Sequence, residues 1–536
     1  MALGYLALVL HAHLPFVRHP ESDYVLEEEW LYEAITETYI PLLRVFEGLK
    51  EDGVEFKITM SLTPPLVSML KDELLQYRYD QYLQKLEELT LQEVKNNQEN
   101  GHIRYLAEYY QQEFAQIRQI WQKYNKDLVS AFKIFQDSHN LEIITCGATH
   151  GYLPLMKMYP NAVKAQIEVA CDHYTANFGQ PPKGIWLPEC AYYQGLEDIL
   201  AEAGLRYFIT DGHGLIHAHP CPRFGTYAPI FTNTGVAAFG RDPESSQQVW
   251  SSDVGYPGDP VYREFYKDLG WEADYDYIKP YIMPNGQRKS VGIKYHKITD
   301  RTCILSEKAL YDPYWAREKA AEHAGNFLFN RVQQIQHLRG VMGREAIVVS
   351  PYDAELYGHW WYEGPQFLDF LFRKTWFDQE TVAMITLKEY LQNYPTQQVA
   401  TPAQSSWGYK GFHEFWLNES NSWIYPHLHK AIERMLELAQ IETENELELR
   451  ALNQAGRELL LAQSSDWAFI MRTGTMVEYA VKRTKNHLLR FNKLYEDIKR
   501  GEIDEEWLLK IEIMDNIFPE FDYQVYLNGS NNTPSF

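Results

Sequence analysis

Short runs rich in apolar and β-branched residues recur along this chain at residues 6–13, 56–62, 143–150, 184–189, 207–211 and 346–353, each running into polar or charged residues. Between them lie stretches of helical period, such as 28–49 and 162–178. Strand alternating with helix predicts a parallel sheet. The strands are nearly continuous in apolar character, as expected when helices cover both faces. Strands that run out into His, Glu and Asp place a site at their carboxyl ends.

Three segments break the alternation. Residues 69–139 are almost entirely helical in period, with Leu106, Tyr110, Phe114, Ile117, Trp121, Tyr124 and Leu128 marking one face, and are expected to be a helical insertion. Residues 217–292 are rich in Pro, Gly and aromatics with little periodicity, and are expected to form long loops. Residues 396–406 read as a linker. The expected organisation is therefore a catalytic α/β domain over 1–395, a helical domain over 407–525, and a disordered tail over 526–536.

Composition narrows the function. The 536 residues carry 50 basic against 73 acidic side chains, a net charge of −23. So acidic a surface repels phosphate backbones and anionic lipid, which argues against nucleic-acid or membrane partners. Five cysteines are odd in number and form no C-x-x-C pair, so reduced thiols and a cytoplasmic location are expected. The apolar start, residues 5–10, lacks the basic flank and length of a signal peptide or membrane span. Aromatic residues make up 14% of the chain, enough for both a large core and flat platforms for ring-shaped ligands.

Two strand-end acids stand out. Glu189 follows Gly184-Ile185-Trp186-Leu187-Pro188, and Asp353 ends Ile347-Val348-Val349-Ser350-Pro351-Tyr352. Trp186 and Tyr192 flank the first; Tyr357, His359, Trp360, Trp361 and Tyr362 follow the second. Carboxylates in aromatic surroundings are partly desolvated, which tunes acidity and nucleophilicity. A pair of them is the minimum apparatus of a glycosidase. Helix capping is the competing reading for Asp353, a dipole-favoured helix carboxylate that for Glu189, and Glu355 is a rival acid. His11 and His13 alternate on the first strand and His150 ends another, a pattern that suits sugar hydroxyls and also metal ligation. With the carboxylates counted, sugar binding is preferred. Ser464-Ser465-Asp466 reads as a helix start capped by Ser465 or Asp466. Trp407, Phe412, Phe415, Trp416 and Trp423 follow the linker without helical spacing, so stacking platforms compete with core packing.

Four ordered motifs carry a resemblance: His11-Ala12-His13-Leu14-Pro15-Phe16, Thr149-His150-Gly151-Tyr152, Trp186-Leu187-Pro188-Glu189, and residues 350–361 from Ser350-Pro351-Tyr352-Asp353 to Trp361. The chain resembles glycoside hydrolase family 57 over nearly its whole length. Trp407-Gly408 and Ser464-Ser465-Asp466-Trp467 are similar to that family's 1,4-α-glucan branching members. The resemblance implies a distorted (β/α)7 barrel with a helical insertion and an all-helical C-terminal domain. It implies Glu189 as nucleophile and Asp353 as acid/base. His11, His13 and His150 would line the sugar site, and Trp30, Trp271, Trp407 and Trp416 the glucan groove, joined by Trp360 from the aromatic cluster. Arg263 and Asp466 would be further site residues. No metal or cofactor is implied. The expected partner is α-1,4-glucan (amylose, amylopectin or glycogen) and the expected reaction is retaining chain transfer to a 6-hydroxyl. Hydrolysis by an amylase of the same family, a metal-dependent hydrolase and a non-catalytic glucan binder are the alternatives. Branching members carry a lid with a tyrosine near its tip; the corresponding stretch, about 231–250, holds Phe239 and no tyrosine.

Overall fold

A computed structural model describes residues 2–251 and 255–527. The six expected strands are present as β1 (Gly4–Ala12), β2 (Ile58–Leu62), β3 (Leu141–Ile144), β4 (Gly184–Trp186), β5 (Tyr207–Thr210) and β8 (Ala346–Asp353). Four more were not expected: β6 (Ile230–Phe231), β7 (Ala237–Gly240), β9 (Val382–Met384) and β10 (Gln398–Val399). They are two to four residues long, too short to show a period.

The strands form two sheets, β3-β2-β1-β8 with β9 also on β1, and β10-β6-β7-β5-β4. All pairings are parallel except β6 with β7. Two seams join the sheets. At one, the Thr145 N–H donates to Gly184 O at 3.2 Å and the Trp186 N–H to Thr145 O at 2.9 Å. At the other, the Asp242 N–H donates to Val349 O at 2.9 Å. Strands β8-β1-β2-β3-β4-β5-β7 thus follow one another around a distorted seven-stranded (β/α) barrel.

Side-chain parity separates two cores. Ala7, Val9, Ile144, Trp186, Tyr207, Ile209, Ala237, Phe239, Ile347 and Val349 pack together as the barrel interior. Leu6, Leu8, Leu10, Phe208, Ala238 and Val348 belong to the larger core shared with the helices. Continuing the inward parity of Ala7 and Val9 brings His11 and His13 to the barrel mouth. Asp353 arrives there from the adjacent strand, as the register partner of His11.

The helical insertion resolves into three helices, each started by an acid or amide that accepts from the first turn. Asp72 caps Glu73–Asn96, Asn100 caps Gly101–Lys123 and Asp127 caps Leu128–Asp137. The first two pack on one another, and the third packs against β3 as a barrel helix. After the barrel come helices Ile424–Leu438, Glu446–Ala462, Ser465–Thr473, Val477–Arg500 and Glu505–Met514, without a strand among them.

Three expectations need correction. The stretch from 231 to 250 is not a lid: it contains β7, whose Phe239 fills the barrel interior, and helix Pro243–Trp250. Apolar runs this short in a Gly- and Pro-rich region lack the length that would reveal a strand. Residues 396–406 are not a free linker either. β10 pairs with β6, Thr401 bridges to His219 and Ser405 to Tyr192. Tyr526, placed in the disordered tail, is buried in the turn Tyr523–Tyr526; residues 528–536 lie outside those described. Among the described residues, no helix is long and apolar enough to cross a membrane.

Candidate active site

Glu189 sits just past β4 with φ +62°, and Cys190 follows at φ +51°. His150, beyond β3, has φ +58°. A left-handed backbone is costly for residues with a Cβ and persists only where the surroundings impose it. Here those surroundings come from the C-terminal segments. The Trp407 N–H donates to the Glu189 carbonyl at 3.0 Å, and the Ser465 N–H to the His150 carbonyl at 3.0 Å. Gly151 lets the Gln166 amide close in beside His150, since a Cβ there would lie 2.9 Å from it and push it aside.

The Glu189 carboxylate is held from both sides. Trp407 Nε1–H donates to Oε2 at 2.8 Å, and the Ser465 hydroxyl donates to Oε1 at 3.0 Å. Behind Ser465, His150 Nδ1 lies 2.8 Å from its Oγ, His150 Nε2 lies 3.0 Å from His11 Nε2, and His11 Nδ1 lies 3.2 Å from Ser61 Oγ. His11 also stacks on Trp186, with ring centroids 4.5 Å apart. His13 stacks on His150 at 3.9 Å, contacts Asp466 through Nε2 at 3.0 Å, and reaches Thr63 Oγ1 through Nδ1 at 3.0 Å.

Electrostatics assign different states to these groups. Burial pushes Glu189 up to about 7; the Trp407 and Ser465 bonds oppose this and the charge of Asp466 adds to it. Burial, then the charges of Glu355 and Glu189, push Asp353 well above the usual carboxylate range. Burial and these charges thus favour the protonated form of Asp353. Burial would also raise Asp466, but the charge and hydrogen bond of His13 prevail and hold it at about 2. Burial lowers His13, yet Asp466 first and then Glu355 and Glu189 raise it overall. His11 and His150 are driven well below their usual value, by burial first and by neighbouring histidines second, so both are neutral.

Of the rival readings, capping fails for Asp353 and for the helix start at residues 464–466. The Asp353 side chain makes no capping bond. Helix Ser465–Thr473 has no side-chain cap; Ser464 donates to Asp466 and Ser465 to Glu189. Glu355 is buried, accepting from Tyr39 OH at 2.5 Å and from the His13 N–H at 3.2 Å, so it braces the mouth of β1. His13, His150 and Asp466, and likewise His11, Cys146 and His150, bring three potential ligand atoms within 4.8 Å of one another. Each ring nitrogen of the three histidines already has a protein partner, which fits a hydrogen-bonded network better than a cation site.

The aromatic candidates divide. Trp407 meets Glu189 through its N–H, and its ring lies edge-on to Trp250 at 6.5 Å. Trp271 and Trp360 are 52% and 56% exposed, the second stacked on Phe265 at 4.8 Å. Trp30 is half-buried, edge-on to Tyr479. Trp416 is a correction: it is 1% exposed, stacked on Tyr152 at 4.4 Å and covered by Gly408. Its surface is already used in packing, so it supports the site rather than offering a platform. Arg263 is buried in an ion pair with Glu37 at 2.8 Å, its guanidinium over the Tyr362 ring. Glu37 in turn accepts from His359 Nδ1 at 2.7 Å, so Arg263 steadies the loop carrying Trp360 and does not bond either strand-end acid. Tyr39, Ser61 and Thr63 were not anticipated; isolated hydroxyls leave no sequence pattern.

A family profile described as glycosyl hydrolase family 57 matches residues 7–403. The chain belongs to glycoside hydrolase family 57. A second profile, described as the C-terminal region of 1,4-alpha-glucan branching enzyme, matches residues 427–526. Within the family, the 1,4-alpha-glucan branching enzyme TK1436 of Thermococcus kodakarensis is 35% identical, over 96% of this chain and 77% of that protein. Among solved family 57 folds, the GH57-type branching enzyme of Pyrococcus horikoshii superposes with a TM-score of 0.88 at 33% identity, covering 98% of this chain and 97% of that one. The structure described as the novel alpha-amylase AmyC from Thermotoga maritima superposes with a TM-score of 0.93 at 46% identity, covering 98% and 99%.

Proposed function

We propose that this family 57 protein is a retaining 1,4-α-glucan branching enzyme. Its catalytic pair is Glu189 and Asp353. The observation that supports this most directly is the setting of the two acids at the barrel mouth: Glu189 past β4, hydrogen-bonded on both oxygens by Trp407 and Ser465, and Asp353 at the end of β8 as the register partner of His11. Asp353 protonates the glycosidic oxygen while Glu189 attacks the anomeric carbon, forming a glucosyl ester and releasing the reducing-end fragment. Asp353 then takes the proton of an incoming 6-hydroxyl, whose oxygen displaces Glu189 to form an α-1,6 branch.

His13, paired with Asp466 and Thr63, holds the Asp466 carboxylate in place beside Glu189. Trp271 and Trp360 offer exposed faces for glucose rings. The substrate is an α-1,4-glucan such as amylose, amylopectin or glycogen. Five free thiols support a cytoplasmic location.

The likeness to AmyC favours hydrolysis as the second reading. Incubation with amylose separates the two. Branching lowers iodine staining and creates α-1,6 linkages seen by proton NMR without a matching rise in reducing ends. Accumulation of reducing ends alone would establish the amylase.

A further inference from the structure

Four side chains lead away from Glu189 in single file: Ser465, His150, His11 and Ser61. Each hydroxyl has one hydrogen to give and each neutral imidazole one N–H and one bare nitrogen, so the file is fully hydrogen-bonded only when all its bonds run in one direction. When Glu189 is ionised, the Ser465 hydroxyl gives its only hydrogen to Oε1. Ser465 Oγ must then accept from His150 Nδ1–H. A neutral His150 is left with a bare Nε2, which accepts from His11 Nε2–H. His11 Nδ1 in turn accepts from the Ser61 hydroxyl.

Protonating Glu189 on Oε1 reverses the file. Trp407 Nε1–H can only donate, so Oε2 remains an acceptor and the new proton resides on the Ser465 side. Ser465 now accepts from Glu189 and donates to His150 Nδ1, His150 Nε2–H donates to His11, and His11 Nδ1–H donates to Ser61. The reversed file holds one more proton than the first. That proton enters at His11 Nδ1 while each hydrogen downstream moves one bond toward Glu189. Both histidines stay neutral in either state.

We infer that Ser61, His11, His150 and Ser465 form a hydrogen-bonded wire whose direction reports and restrains the protonation of Glu189, with Ser465 as the positioning residue that couples it to the nucleophile. This rests on Glu189 being the nucleophile. Ser465 opens the helix Ser465–Thr473, so the C-terminal region completes the nucleophile's setting rather than merely covering the cleft. Other charged groups around Glu189 are Asp466 from the same helix, His13 from the end of β1, and Asp353 from β8. Arg241 lies beyond, over the Trp407 ring. None of these supplies a second hydrogen to Oε1.

Imidazole 15N NMR on the unmodified protein tests the wire directly. Above the acid limb of activity, His150 is expected as the Nδ1–H tautomer and His11 as Nε2–H. Both invert together below it, with a midpoint on the acid limb. Tautomers that do not change, or that change at unrelated pH values, overturn the wire. In kinetics, Ser465→Ala is expected to lower kcat about 10- to 100-fold with little change in KM, and to move the acid limb up by about one pH unit. Ser465→Thr keeps the hydroxyl and should restore most of kcat and the original limb. A wild-type kcat and pH profile for Ser465→Ala, or a Thr variant no better than Ala, overturns the role of Ser465. Glu189→Gln is run alongside. If that variant turns over normally, the nucleophile assignment itself falls. If it is inactive while Ser465→Ala behaves as wild type, only the wire falls.

Discussion

Trp407 grips Glu189 twice: its indole N–H donates to Oε2 at 2.8 Å, and its backbone N–H donates to the glutamate's carbonyl at 3.0 Å. The first bond stabilises the ionised carboxylate, and the second fixes the left-handed turn that presents it. Trp407→Phe removes only the first. A hydrogen bond to a charged group contributes about 1.5–3 kcal/mol, so kcat on amylose should fall about 10- to 100-fold while the melting temperature holds. An unchanged kcat would show that the indole serves as a stacking face alone.

The two acids set a bell-shaped rate profile. Glu189 must be ionised to attack, and its carboxyl titrates at about 7, so the rate falls as pH drops below that value. Asp353 must be protonated to release the leaving group, so the rate falls again as pH rises through its elevated value. Because the acids interact, the limbs belong to the pair. A kcat/KM profile whose acid limb lies in the ordinary carboxylate range, near 4, would contradict the desolvation of Glu189.

Asp353→Asn should remove turnover of amylose, where the departing sugar oxygen needs a proton. A maltosyl fluoride donor departs without one, so the same variant should still release fluoride in a burst. Loss of both reactions would place Asp353 outside the acid role.

Most of the barrel was legible because its strands are long or carry apolar runs buried on both sides, as in β1 and β8. Strands β6, β7, β9 and β10 were not, since two to four residues define no period. Parity along β1 and the strand-end positions brought out His11, His13, Glu189 and Asp353 from residue order alone. Ser465 was misread as a cap: a serine at a helix start has an ordinary local use, and only the fold places Glu189 opposite it. Trp416 was misread for the converse reason. It follows the 396–406 segment without helical spacing, which left a platform open, whereas Tyr152 and Gly408 cover it in space.

His13 and Asp466 pair across the cleft at 3.0 Å, and their linkage has a definite sign. Asp466 titrates at about 2 in the fold against an ordinary 3.8, so its contribution is present above 3.8 and lost as pH falls toward 2. His13 is raised above 6.5, so its contribution is full below 6.5 and lost as pH rises through the folded value. Asp466→Asn should therefore cost most between about pH 4 and 6.5, on the order of 3 kcal/mol for breaking a partly buried pair. Urea unfolding at pH 5 and pH 9 should show a larger gap from wild type at pH 5. An equal gap at both would assign the loss to packing rather than charge.

The tryptophans separate support from platform. Trp416 is fully buried, so Trp416→Ala opens a cavity and should destabilise the fold by about 3–5 kcal/mol. Trp271 and Trp360 expose half their surface, so alanine at either should change stability by less than about 0.5 kcal/mol. If glucose rings stack on those faces, each exposed variant raises KM for amylose by about 2- to 12-fold, the loss of about 0.5–1.5 kcal/mol of stacking, with the melting temperature unchanged. A Trp416→Ala protein that kept wild-type stability but lost affinity for glucan would reverse the division and restore Trp416 to the groove.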